Sequence, residues 1–294
     1  MPKGISLHVG INKVGLPFPG AGELTGPEND AREMEKIAVS NGFYPHDLLL
    51  GPNATYATVT TKIRTAACNL EAGDIFLFTF AGHGFQKANQ GFDPEDPDGN
   101  QDGLDETIIL FDVALIDDVL GKDLWPCFKS GVRILMVADC CHSGDDFLIA
   151  AHITNDNEPP AEGDDEFPVA TSAGPAVRAI SAATARLHLE EYGEFYRHTF
   201  LPLLDRPINA TLMLLAACES FDKTLDADPA HGELNGMYTA SMLEVLKNSD
   251  PADYVALVDG IQQELIKRGR PTQKPLVEGA PGKPDFRTER PFSI

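Results

Sequence analysis

The chain has 294 residues, 43% of them hydrophobic and 23% charged, enough to bury a full core in one large domain or one plus a small insertion. Its formal charge of −22 argues against a nucleic-acid partner, because neutralising phosphates requires a basic face. No apolar run approaches the roughly 18 residues of a membrane span, so no membrane partner is expected. Met1-Pro2-Lys3-Gly4 leads directly into a strand-like run and leaves no room for a secretion signal, which makes an intracellular, cytoplasmic location the expectation.

Read in chain order, Ile5 to Ile11 is expected as a first strand and Asn29 to Ser40 as a helix, started by Asn29 or Asp30 and stopped by Asn41-Gly42. Leu48 to Leu50 reads as a short second strand and Thr58 to Leu70 as a helix. Asp74 to Phe80 (D-I-F-L-F-T-F) and Val132 to Ala138 (V-R-I-L-M-V-A) are near-continuous apolar runs, the pattern of parallel strands covered on both faces. Gln86 to Glu106, rich in Asp, Gly, Asn and Pro, and the acidic stretch Ala150 to Pro175 read as long loops, insertions at about 86–106 and 150–176. Ala179 to Ala182 and Thr211 to Ala217 read as further strands, with helices near Met237 to Lys247 and Tyr254 to Arg268. Such alternation predicts an α/β fold with a mostly parallel central sheet and helices on both faces.

Two strand ends carry reactive residues. The first apolar strand breaks at Phe80-Ala81-Gly82-His83-Gly84, and the second at Asp139-Cys140-Cys141-His142-Ser143-Gly144. Open α/β sheets place chemistry at the carboxyl ends of their strands. A histidine and a cysteine there can become neighbours, the arrangement that a thiolate and its base require. Five cysteines, odd in number and without metal-ligand spacing, are consistent with reduced thiols.

These segments resemble the caspase-like cysteine proteases, and most closely the metacaspase branch. Ala81-Gly82-His83-Gly84 matches the family's S-G-H-G with one change, and Asp139 to Gly144 matches D-x-C-H-S-G in full. Leu24-Thr25-Gly26 with Asn29-Asp30, Asp102 to Thr107, Asp117-Asp118 and Gln273-Lys274-Pro275 match further family segments, from about Gly4 to Gly279. The resemblance implies a caspase-like three-layer α/β/α sandwich. It also implies a cysteine endopeptidase with Cys141 as nucleophile, His83 as general acid and base, and the backbone N–H groups of Gly84 and Cys141 as oxyanion donors.

Further implications concern specificity and activation. The residues matching Asp30 and Asp139 line a pocket for a basic P1 side chain, so cleavage of protein or peptide substrates after Arg or Lys is implied. Capping of the helix is the alternative role for Asp30. Activating cleavage of the loop after the cysteine makes Arg178 a candidate self-cleavage point. Asp105, Asp117 and Asp118 match calcium ligands of some metacaspases, with Asp145 as a fourth candidate, so Ca2+ is a candidate activator although the chemistry itself requires no cofactor. Solvated acidic loops and helix caps are the alternative. Asp98 to Gly103 copies the first half of an EF-hand loop, but its twelfth position is Ile109 rather than glutamate, so that motif fails. The competing reading of the whole chain is a catalytically silent caspase-like scaffold that binds a protein partner. Oligomeric state is open.

Overall fold

The computed structural model describes residues 1–15, 18, 21–88, 104–141, 176–180, 182–200, 206–218, 224–227, 232, 234–280 and 283–294. Strand and helix alternate from the start: β1 (Gly4–Gly10), α1 (Pro27–Ser40), β2 (His46–Leu50), α2 (Tyr56–Asn69) and β3 (Ile75–Ala81). A hairpin-like group follows, β4 (Gly84–Ala88), β5 (Leu104–Ile109), β6 (Ala114–Ile116) and the one-turn α3 (Asp117–Val119). Then come β7 (Arg133–Asp139), α4 (Ala182–Phe200), β8 (Thr211–Ala216), α5 (Met237–Asn248), α6 (Tyr254–Lys267) and β9 (Leu276–Gly279).

Side-chain alternation along the central strands decides the layering. In β3, Phe76, Phe78 and Phe80 join one apolar cluster, while Ile75 and Leu77 join another. In β7, Ile134, Met136 and Ala138 go to the first cluster, and Leu135 and Val137 to the second. The first cluster is closed by Val59, Ile63 and Ala66 of α2 together with Trp125, whose ring meets Phe78 edge-on at 6.4 Å. The second is closed by Met34 of α1, Met242 of α5, and Leu257 and Ile261 of α6. Strands apolar on both faces need cover on both, and the result is the expected α/β/α sandwich.

The main sheet has the order β2-β1-β3-β7-β8-β9 and is parallel except for β9, which runs antiparallel to β8 at the edge. β4, β5 and β6 form a separate antiparallel sheet. The stretch from Gln86 to Glu106, expected as a loop, therefore begins and ends in strand. Pairing between Gly84–Ala88 and Leu104–Ile109 overrides a composition that reads as turn. The strand expected over Ala179 to Ala182 is also corrected. Ala179 makes only a single bridge to Gly84, and α4 begins at Ala182. Helix α1 starts at Pro27, two residues before the expected Asn29, because proline is suited to the first helical turn.

Candidate functional site

Register places the two candidate catalytic residues together. Ala81 pairs with Asp139 at the carboxyl ends of adjacent parallel strands, and His83 and Cys141 each lie two residues beyond that pair. Both are buried, His83 to 1% exposure and Cys141 to 0%. The His83 Nε2 lies 2.7 Å from the carbonyl oxygen of Gly22. A carbonyl only accepts, so Nε2 carries the proton and Nδ1 is left with a lone pair. Among the described residues Nδ1 has no hydrogen-bond partner. Burial pushes the imidazole down from its ordinary value, outweighing the opposing effects of the Gly22 carbonyl and the Ala179 backbone.

The Cys141 sulfur is fixed by Thr224, whose amide donates to Sγ at 3.3 Å while the thiol faces the Thr224 carbonyl at 3.5 Å. Burial pushes this thiol well up, so the resting pair is a neutral thiol and a neutral imidazole. Cys140 points into the apolar core instead, as side-chain alternation predicts. Gly84 sits where the backbone leaves no room for a side chain. A Cβ there would collide with the carbonyl oxygen of Cys141 and come within 3.1 Å of that of Thr107.

Arg178, expected on a loop, is completely buried at 0% exposure and fills an acidic pocket. Its Nη2 contacts Asp30 Oδ2 and lies 3.1 Å from Asp226 Oδ1, while Nη1 lies 2.9 Å from Asp139 Oδ2 and donates to the Asp139 carbonyl at 3.1 Å. Each carboxylate is held from a different direction. Asp30 accepts from Asn235 Nδ2 at 2.9 Å and from the amide of Gly236 at 3.1 Å, so it is a pocket residue rather than a helix cap. Asp139 accepts from the hydroxyl of Thr239 at 2.7 Å and from that of Thr224 at 3.3 Å. Asp226 accepts from the amide of Thr25 at 2.6 Å and that of Gly26 at 3.0 Å. Burial pushes the Asp30 carboxyl up to about 7 against the pull of Arg178. Burial also acts to raise Asp226, but the guanidinium and the Thr25 amide hold it below the usual carboxylate range.

The backbone around Arg178 is bound as an extended peptide. Its amide donates to the Thr224 carbonyl at 3.2 Å, the Asp226 amide donates to the Ala176 carbonyl at 2.8 Å, and Val177 bridges Leu225 antiparallel. The Arg178 carbonyl oxygen accepts from the amides of Gly84 at 3.1 Å and Cys141 at 3.3 Å. Thr224, Asp226, Thr239 and Gly22 were not singled out from the sequence. Gln273, in the matched Gln273-Lys274-Pro275 segment, donates to Thr224 Oγ1 at 3.1 Å and so braces the residue that holds the thiol.

The expected calcium ligands are described only in part. Asp145 lies outside the described residues, as do the loop 150–175 and His142 to Gly144, and Asp105 lies on β5. Asp117 Oδ1 accepts the Asp118 amide at 2.7 Å, and Asp118 is ion-paired with Lys122 at 2.8 Å. Among the described residues no group of three or more His, Cys, Asp or Glu is arranged to hold a metal ion. No helix among them is long and apolar enough to cross a membrane.

A cysteine and a histidine at adjacent sheet ends, with two amides converging on one carbonyl oxygen, form the kind of arrangement that cysteine-peptidase chemistry requires. The chain belongs to the caspase family: the family model described as a caspase domain matches residues 3–284. Among curated relatives, metacaspase-7 of Arabidopsis thaliana is 33% identical over 45% of this chain and 34% of its own length. Metacaspase-1A of Aspergillus clavatus is 24% identical over 92% of this chain and 64% of its own length. The chain thus spans 34% of the first of these relatives and less than two thirds of the second. A solved protein structure from Geobacter sulfurreducens is 32% identical, covers 100% of this chain and 99% of its own, and superposes with a TM-score of 0.75. The structure of pro-Sf-caspase-1 shares the fold alone, at 12% identity and a TM-score of 0.50 over 94% of this chain and 87% of that one.

Proposed function

We propose that this caspase-family chain is a cysteine endopeptidase that cuts protein substrates after Arg or Lys through a Cys141–His83 dyad, and that its first substrate is its own Arg178–Ala179 bond. One observation carries the reading: the Arg178 carbonyl oxygen sits between the Gly84 and Cys141 amides while its guanidinium fills the three-carboxylate pocket. In this reaction His83 Nδ1 takes the Cys141 proton, the thiolate attacks the Arg178 carbonyl carbon, and the two amides stabilise the resulting oxyanion. The imidazolium then protonates the Ala179 nitrogen as the peptide bond breaks. An acyl-enzyme on Cys141 remains, which water hydrolyses with His83 as base. Departure of the 176–178 segment frees the cleft for protein substrates in trans.

The contacts of the Arg178 carbonyl with the Gly84 and Cys141 amides favour a precursor closed by its own segment over a silent scaffold. The test is turnover of a fluorogenic Ala-Val-Arg peptide by the purified chain. Turnover is expected from the parent protein and a loss of about 10³-fold or more from Cys141→Ala and His83→Ala, with no cutting of a matched aspartyl peptide. Equal rates on the arginyl and aspartyl peptides, or full activity without the thiol, overturn the reading.

A further inference from the structure

We infer that Asp226, with the bare backbones of Gly26 and Gly236, makes the P1 pocket a slot for a planar guanidinium, so that the enzyme strongly prefers arginine to lysine. The inference rests on the function proposed above, with Arg178 standing for the P1 residue of any substrate.

Charge alone does not require Asp226. Asp30 and Asp139 already exceed the single positive charge of a P1 side chain, and either Arg or Lys satisfies them electrostatically. Asp226 instead supplies direction. The guanidinium divides its contacts between two nitrogens: Nη1 faces Asp139 Oδ2 at 2.9 Å and its carbonyl at 3.1 Å, whereas Nη2 bridges Asp30 and Asp226, the latter at 3.1 Å. Lysine has one terminal nitrogen. Its four-methylene chain ends level with the arginine Cζ, one bond short of both Nη positions, so a single ammonium cannot occupy the two sites. A buried carboxylate left without its cationic partner makes the shorter side chain the poorer substrate.

The pocket walls fit the same shape. A Cβ at Gly236 would lie 2.5 Å from Arg178 Cζ, and one at Gly26 would lie 2.8 Å from both Nη2 and Asp226 Oδ1. Only glycine leaves room for a flat group with its edge toward Asp226. Asp226 is itself immobilised by the amides of Thr25 and Gly26 and by the Thr25 hydroxyl at 3.0 Å, so the acceptor is in place before a substrate arrives.

The experiment measures kcat/KM for matched Ala-Val-Arg and Ala-Val-Lys fluorogenic peptides within single preparations, so that the active fraction cancels from the ratio. The parent enzyme is expected to favour arginine by about tenfold or more. Asp226→Asn and Gly26→Ala should each pull that ratio toward unity, mainly by raising KM for the arginyl peptide. Should these variants fail to fold, Arg178→Lys reads the same preference in cis and should slow self-cleavage by about tenfold or more. A parent ratio within about threefold of unity, or a ratio unchanged by Asp226→Asn, overturns the inference and leaves the peptidase reading standing. Absence of cleavage of both peptides and of the chain itself defeats that reading, and the inference with it.

Discussion

The amide of Cys141 lies 3.3 Å from the carbonyl oxygen of Arg178, and the residue that would attack this carbonyl thus also holds it. Because Arg178 is anchored at its side chain as well, both ends of the scissile residue are fixed before reaction. Such prior fixation is what converts a slow bimolecular step into a fast intramolecular one.

Removing the anchor should uncouple the two effects. In a Cys141→Ala background, where the chain stays whole, Arg178→Gln leaves three buried carboxylates without their cation. Chemical denaturation should then report a loss of about 3–5 kcal/mol. In the Cys141 background the same substitution should abolish cutting at this position. Unchanged stability would mean that the guanidinium is not held as described.

Asp139 should matter more to binding than an exposed ion pair would. It pairs with the guanidinium at 2.9 Å and is oriented by Thr239 at 2.7 Å, at only 2% exposure. Asp139→Asn should lower kcat/KM on an arginyl peptide by roughly 10²-fold or more. A loss of less than about threefold would place the P1 residue elsewhere.

How much of this was readable from the sequence follows the kind of interaction involved. His83 and Cys141 were found because each ends an apolar strand, and parallel register did the rest. Asp30 and Asp139 were found inside motifs, but their joint engagement of Arg178 depends on how the 176–180 segment returns across the sheet, which no local pattern encodes. Asp226 was missed for a related reason: it has no motif around it, and its partners Thr25 and Gly26 lie at the far end of the chain. The β4–β5 pair was hidden by an Asp- and Gly-rich composition, and α4 as a whole was missed, its Ala-rich start read as strand because such sequence suits strand and helix alike.

Gly84→Ala should be damaging although only one methyl is added. The new Cβ meets the Cys141 carbonyl, so the strand end must shift and carry its amide away from the oxyanion position. A fall of about 10²-fold or more in kcat with little change in KM is expected. A change confined to KM would contradict that role.

Acid sensitivity should trace to His8. Its ring is buried between Thr79 and Ser6, each at 2.9 Å, and burial, with His46 adding, pushes its pKa from 6.5 down to about 3. Between those values the unfolded chain carries a proton that the folded chain does not, so this residue's contribution to stability falls as pH falls through the window. Asp30 works oppositely, since its folded value is raised from 3.8 to about 7 and the folded chain there holds the extra proton. Replacing His8 by Gln should therefore flatten the acid loss by ~1.4 kcal/mol per pH unit between pH 6.5 and 4 relative to the parent chain. Identical slopes would mean that His8 is not held neutral by its burial.

Intact-mass and N-terminal analysis of the purified parent chain beside Cys141→Ala is the most direct measurement of self-cleavage by this thiol. The expected result is one product ending at Arg178 and another beginning at Ala179 from the parent, with a single uncut species from the variant. The same cut in both proteins, or a parent that hydrolyses arginyl peptides while its own 178–179 bond stays whole, would contradict it.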